Sequence, residues 1–469
     1  MNKFYITTPI YYANAKPHIG HAYTTIAADV LARFHKLQGE EVFFLTGMDE
    51  HGAKIQKAAE AQGKDPQVFV DEIGEEFKSL WEKLNIKYDN FIRTTDIKHK
   101  KAVQKVLQTL YDKGAIYKGE YEGLYCTGCE QFKNENELVD GKCPDHNATP
   151  EKTREECYLL KLTEIQSKLI EKIENDEFKI APERYKNEVL SFLKNQELKD
   201  ISVSRKNLKW GVPLPFDLEH TTYVWVDAFL NYLTGLDWDG DANNVPKQWP
   251  ADVQLIGKDI LRVHATIWPA ILMHLEVQLP KMIFTHGHIL SGGKKMSKTL
   301  GNVIGIDEML EKFGADGTRY LLMTSGVFGN DGDITMERMT EKFNADLANG
   351  LGNLVSRVIK LSEDLKFMPS LEKDPVQWNL GFLNSIWLDK ALERVWEQLI
   401  YTSNKYIDDQ RPWELKKTDD AKFKEVMQKL LNNLALISEL LIPFMPETSE
   451  KIKKALETKK VKLLFQRIK

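Results

Sequence analysis

One pattern near the amino terminus restricts the fold more than any other: a strand, a helix and a second strand follow one another within about 45 residues. Lys3 to Thr8 reads as a strand that Pro9 ends, and a polar loop runs on through Tyr12, Asn14 and Lys16. Ala22, Ile26, Val30, Phe34 and Leu37 then recur at helical spacing, with Pro17 in a first turn that tolerates proline and Gly39 as the stop. Val42 to Thr46 is apolar and strand-like again. Such a βαβ unit requires parallel pairing and a right-handed crossover. A second unit is expected downstream, with Val253 to Gly257 as strand, Ile260 to Leu275 as helix and Lys281 to Thr285 as strand. The fold class is therefore α/β, a Rossmann-type parallel sheet in two halves.

Between the halves, residues 115–220 are more charged, hold a cysteine cluster and end in the turn-rich Trp210-Gly-Val-Pro-Leu-Pro, so a small inserted domain is expected there. Beyond Thr335 the period becomes helical: Leu347, Leu351, Leu354, Val358, Leu361 and Leu365 alternate steps of four and three, and Leu388, Leu392, Val395 and Leu399 do likewise. An all-α bundle should close the chain. Its last 19 residues, Lys451 to Lys469, hold eight basic side chains and one acidic one, the most basic stretch present.

A length of 469 residues suits about three structural units, and 42% hydrophobic with 28% charged residues excludes a disordered, collagen-like or membrane-embedded chain. A formal charge of −5, from 69 acidic and 64 basic side chains, rules out a globally basic surface for nucleic acid. DNA is not an expected partner, and any RNA must be met by local patches. No secretion signal opens the chain and no apolar run approaches 18 residues, so a cytoplasmic protein with no membrane partner is expected.

Three of the four cysteines fall between Cys126 and Cys143, which points to metal rather than disulfides. Cys126-Thr-Gly-Cys129 and Cys143-Pro-Asp-His146 form a CxxC and a CxxH separated by 13 residues, the knuckle spacing for tetrahedral zinc. Three thiolates and one imidazole close the site and leave no position for water, so one structural Zn²⁺ is expected at Cys126, Cys129, Cys143 and His146. Cys157, in an alternating Tyr158-Leu-Leu-Lys-Leu stretch, reads as a core cysteine.

Two further segments carry chemistry. His18-Ile-Gly-His21 lies where the first strand hands over to the first helix, and a helix amino terminus with two imidazoles beside it suits phosphate. Gly20 would let a flat ring approach the backbone. After the second unit, Gly292-Gly-Lys-Lys-Met-Ser-Lys-Thr-Leu-Gly301 reads as a loop made mobile by glycine, with Lys295 and Lys298 as point charges for phosphates. Taken singly, the histidines read equally as surface residues and the lysines as a solvated turn.

Taken together, the two segments resemble the paired signatures of class I aminoacyl-tRNA synthetases, here His18-Ile-Gly-His21 and Lys295-Met-Ser-Lys-Thr299, with threonine at the usual serine. The resemblance covers essentially the whole chain and implies a catalytic role for His18, His21, Lys295 and Lys298, with Gly20 also at ATP and Mg²⁺ accompanying the nucleotide. An insertion of about 105 residues is too short for a separate hydrolytic editing domain. A zinc knuckle there resembles the methionyl-tRNA synthetase family, as do Thr46-Gly-Met-Asp-Glu-His-Gly52, Tyr223-Val-Trp-Val-Asp-Ala228 and Gly257-Lys-Asp259. That resemblance implies an ammonium site at Asp49, a methionine side-chain pocket of Ile10, Tyr12, Trp225, Ala228, Tyr232, Ile260 and His264, and an active-site arginine at Arg205. Asn353-Leu-Val-Ser-Arg357 and Asp409-Gln-Arg-Pro-Trp413 are similar to the family's anticodon-binding motifs, which implies Asn353, Arg357 and Trp413 as readers of the CAU anticodon.

The expected organisation is thus a first catalytic half at 1–114, a zinc-knuckle insertion at 115–220, a second half at 221–290, a signature-loop and stem-contact region at 291–335, and an anticodon-binding bundle at 336–469. The expected reaction joins L-methionine and ATP as methionyl-adenylate and passes the acyl group to initiator and elongator tRNA(Met). The chain ends at Leu463 to Lys469, where the family's common core ends, so no appended dimerising module and a monomer are expected. Cysteinyl-tRNA synthetase is the nearest rival, but its zinc ligands are dispersed, whereas these fall within 21 residues. A small-molecule nucleotidyltransferase leaves the bundle motifs without a role, and a silent tRNA binder leaves the two signature segments without one.

Overall fold

The computed structural model describes residues 2–126, 131–133, 135, 138–144, 147–206, 208–296, 302–365, 369–371 and 374–469. Lys3–Thr7 lies at the centre of a parallel sheet, paired with Glu41–Asp49 on one side and Val253–Gly257 on the other. Asn90–Arg93 continues the sheet beyond Glu41–Asp49, and Met282–His286 continues it beyond Val253–Gly257. Tyr5, Ile6, Leu45, Leu255, Ile256 and Ile283 are buried, as in a parallel sheet covered on both faces. Strand order reverses at Lys3–Thr7, and ligands bind α/β sheets at the carboxyl ends beside such a switch point.

The crossover helix is Ile19–Leu37 and buries Ala22, Ile26, Val30 and Phe34 as their spacing required. It begins two residues later than expected: Pro17 stands outside it and His18 supplies the cap. Leu37, expected on the apolar face, is 41% exposed in the last turn. Gly39 takes φ 78°, the left-handed conformation that ends a helix without steric cost in glycine alone.

The insertion is less separate than its composition suggested. Ile116–Cys126 pairs antiparallel with Glu151–Leu160, and Ile201–Ser202 extends that ribbon. Lys179–Ala181, however, returns to the main sheet and pairs in parallel with Met282 to Phe284. Leu160, Leu169, Ile173, Phe178 and Ile180 consequently share one apolar cluster with Ile256, Trp268 and Ile283. Cys157 is buried, as read from the sequence.

The closing region is helical from Met336–Lys342 to Pro446–Thr458. Leu347, Leu351, Leu354 and Val358 are buried in it, while Leu361 and Leu365 pack at its margin. Phe343–Gly352 and Trp396–Tyr401 are wound as π-helix, and the buried Asp346 accepts hydroxyl hydrogens from Tyr320 and Tyr401, each at 2.7 Å, between them. The basic terminal segment folds back, with Asn344 and Ile468 exchanging two hydrogen bonds of 2.7 and 2.8 Å. Among the described residues no helix is long and apolar enough to cross a membrane.

Candidate active site

The start of the helix Ile19–Leu37 fixes both histidines. His18 accepts the Gly20 N–H through Nδ1 at 3.1 Å, and His21 accepts the His18 N–H through its own Nδ1 at 3.2 Å. The rings stack 3.7 Å apart at 24°. With each Nδ1 an acceptor, the proton of each neutral ring sits on Nε2, so the pair presents two N–H donors beside a positive helix end. Burial within the cleft pushes the His18 pKa down against the pull of Asp259, and burial with the neighbouring His18 pushes His21 well down, so both act as neutral donors at pH 7. A Cβ on Gly20 would meet the His18 ring at 3.0 Å, so a side chain there would press on that cap. Thr24 lies 2.7 Å from Nε2 of the buried His286, whose Nδ1 is 2.7 Å from the Gly287 carbonyl, bracing this helix turn against the sheet.

The lysine segment begins as a hairpin. Ile289–Ser291 and Lys294–Lys295 form a hairpin whose two-residue turn is Gly292-Gly293, with φ of 61° and 74°. Gly292 and Gly293 thus make a left-handed turn that glycine adopts without strain. Lys295 is exposed on this hairpin. Lys298 lies outside the described residues.

The residues expected to line a methionine pocket come from four segments. Asp49 ends its strand in register with Tyr12 and is 7% exposed. Ile10, Tyr12, Trp225 and Ile260 form a partly exposed apolar rim on the cluster that contains Tyr232, with Ala228 buried nearby. His264 donates from Nδ1 to the Ile260 carbonyl at 2.9 Å, so Nε2 accepts the Tyr232 hydroxyl at 2.8 Å. Burial pushes His264 down to about 4 and raises Tyr232, so this wall is uncharged. An uncharged wall edged by aromatic rings suits a thioether. Arg205 places its guanidinium 4.6 Å from the Tyr223 ring centroid and donates to Ser202 Oγ at 2.9 Å, beside the pocket-bearing segment.

Several residues without an expected role stand close by. Asp227 bonds His51 at 2.6 Å and His99 at 2.8 Å, all three buried; burial opposes its ionisation, but the two histidines hold its carboxyl below the usual range. Glu50 receives Arg93 at 2.6 Å and the Thr95 hydroxyl, and the Trp210 indole N–H closes on the Glu50 carbonyl. The charge of Asp259 acts on His18, His264, His286 and His288. Glu50, His51, Asp227 and Asp259 lie inside segments quoted above, which was the available signal; His99 and Arg93 had none.

The chain matches the family described as tRNA synthetases class I (M) over residues 4–149 and 145–359, and the anticodon binding domain of methionyl tRNA ligase over residues 382–466. A methionine–tRNA ligase of Clostridium acetobutylicum is 46% identical across 96% of this chain and 73% of its own. The chain belongs to the class I methionyl-tRNA synthetase family. A Rickettsia bellii methionine–tRNA ligase is 41% identical across 100% of this chain and 95% of its own. A Mycobacterium tuberculosis methionyl-tRNA synthetase in complex with methionyl-adenylate overlays with a TM-score of 0.90 at 36% identity, covering 97% of this chain and 93% of that one.

In this synthetase fold the other predicted residues lie far from the cleft in sequence. Cys126 and Cys143 are buried at the end of a strand and at a turn, while Cys129 and His146 lie outside the described residues. Among the described residues no group of three or more ligating side chains is assembled. Asn353 and Arg357 share one face of Asn353–Leu361, Arg357 reaches Asp408 at 2.6 Å, and its guanidinium lies 5.8 Å from the ring of Trp413. Trp413 is 40% exposed.

Proposed function

We propose that this chain activates L-methionine with ATP to methionyl-adenylate and pyrophosphate, then acylates the 3′ end of initiator and elongator tRNA(Met). Membership of the methionyl-tRNA synthetase family supports the reaction. The observation that carries its local chemistry is the His18–His21 pair, two neutral Nε2–H donors at a helix amino terminus, together with the uncharged Tyr232–His264 pair. In this reading Asp49 binds the ammonium, Ile10, Tyr12, Trp225, Ala228, Tyr232, Ile260 and His264 line the side-chain pocket, and Arg205 is an active-site residue. His18, His21, Lys295 and Lys298 stabilise phosphate charge as the carboxylate attacks the α-phosphate in line. Gly20 leaves room for the nucleotide, and Mg²⁺ carried with ATP supplies charge neutralisation on the phosphates.

Asn353, Arg357 and Trp413 contact the anticodon, with Trp413 as an exposed stacking face. Cys126, Cys129, Cys143 and His146 hold one Zn²⁺; two buried thiols close in sequence to a second Cys and a His are a soft donor set that fits it. The working divisions are catalytic halves at 1–114 and 221–290, an insertion at 115–220, a connecting region at 291–335 and an anticodon-binding bundle at 336–469, in a cytoplasmic monomer. The deciding experiment is amino-acid-dependent ATP–pyrophosphate exchange with all twenty amino acids. Methionine alone should support it, and exchange with another amino acid, or none at all, overturns the reading.

A further inference from the structure

One carboxylate outside the roles above joins three parts of the catalytic face. Asp331 accepts the Lys258 ammonium on both oxygens, at 2.7 and 2.9 Å, and the His288 backbone N–H at 2.8 Å. Lys258 opens the turn that follows the strand Val253–Gly257, and His288 follows the strand Met282–His286. The two backbones meet closely here: a Cβ on Gly287 would come within 2.4 Å of Asn330 and Asp331 main-chain atoms. From the other side Arg184 donates to Asn330 Oδ1 and the Gly329 carbonyl.

Directly after Asp331, Gly332–Asp333 pairs in parallel with Ile289–Ser291, the strand on which the Lys294–Lys295 hairpin is built. Asp333 then takes the Gly293 N–H of the hairpin turn at 2.9 Å and Arg338 at 2.9 Å. The hairpin therefore hangs from the segment 331–333, and that segment is attached to the carboxyl edge of the main sheet through Asp331. Lys295 stands close enough to His288 for its charge to act there. The Lys258 and Asp331 side chains are 32% and 38% exposed, and an ion pair so wet contributes little to folding.

We propose that Asp331 is a positioning residue for methionine activation, holding the hairpin that carries Lys295 in register with the His18–His21 cleft through its bonds to Lys258 and the His288 amide. This rests on the activation reading above and adds a residue to it. Misplacing a charged group by about an ångström costs a step that depends on alignment far more than it costs ground-state binding.

The test is a double-mutant cycle read by ATP–pyrophosphate exchange. The unaltered protein must first show methionine-dependent exchange; if it does not, the activation reading fails before Asp331 is examined. Asp331→Asn, which keeps shape and removes charge, should lower kcat roughly tenfold with methionine affinity, read from tryptophan fluorescence without ATP, unchanged within about twofold. In a Lys295→Ala background the same substitution should cost less than about twofold, because the group it positions is gone. Lys258→Met should repeat both results, and decides the matter if Asp331→Asn folds poorly. Unchanged kcat in the single variants, or a full tenfold loss persisting in the Lys295→Ala background, overturns the proposal.

Discussion

Arg319 and Asp29 are paired at 2.7 Å with neither side chain accessible to solvent. The guanidinium also donates to the carbonyls of Leu84, Pro443 and Phe444, at 3.2, 2.8 and 2.7 Å, and Asp29 receives Arg33 and the Lys87 N–H. Asp29 lies on the helix that begins at the two histidines, while Pro443 and Phe444 belong to the bundle, so one side chain clamps the catalytic layer to the helical region. Removing Arg319 leaves Asp29 to Arg33 alone and strips three carbonyls of their donor, buried polar losses that together cost about 3 to 5 kcal/mol. Arg319→Met should lower stability by that order in urea denaturation, and a loss below about 1 kcal/mol would show that water or another cation replaces it.

His21→Ala should slow adenylate formation about 10²-fold or more in stopped-flow measurement, with a smaller change in methionine affinity. Loss of its acceptor from the helix start should cost only about 1 kcal/mol of stability. A melting curve that collapses alongside activity would reduce His21 to a cap.

The pH response of the pocket follows from His264. Its folded pKa of about 4 lies below the ordinary 6.5, so the unfolded chain binds more protons between those values. Stability from this group is complete above about 6.5 and is lost as pH falls toward 4. The His264 ring should remain neutral in NMR spectra at pH 5.5, and Tyr232→Phe, which leaves Nε2 without its donor, should weaken methionine binding by roughly 1 to 3 kcal/mol. An imidazolium signal for His264 at pH 6 would contradict the neutral, depressed-pKa ring.

Cys126→Ser should lower bound zinc in elemental analysis and loosen the insertion, with a lower melting temperature. Full activity in demonstrably zinc-free protein would show that the zinc is not required for function.

Trp413→Ala should weaken aminoacylation roughly 5- to 150-fold, the loss of one base–aromatic stack, while ATP–pyrophosphate exchange and melting temperature barely change. Its 40% exposure is the reason stability should hold. Wild-type charging efficiency in this variant would end the anticodon assignment for Trp413.

What the sequence alone determined is the part written in local period and short spacing. The paired βαβ units, the histidines at a strand-to-helix junction and the helical closing region are all visible there, because apolar period records which face of an element is covered. Resemblance added the pocket residues, and the structure brings Tyr12, Trp225, Tyr232, Ile260 and His264 onto one cluster. Only the tertiary structure decided the rest. Lys179–Ala181 has three residues and no period of its own, and joins the sheet because Met282–His286 offers an open parallel edge. Asp227 meets His51 and His99 across 176 and 128 positions, and Arg319 meets Asp29 across 290. Polar groups so far apart leave no pattern in a chain; burial without water forces each to find a partner once the sheet order brings them together. The tautomers of His18, His21 and His264 are likewise set by neighbours rather than by residue type, since which nitrogen carries the proton depends on what its partner nitrogen touches.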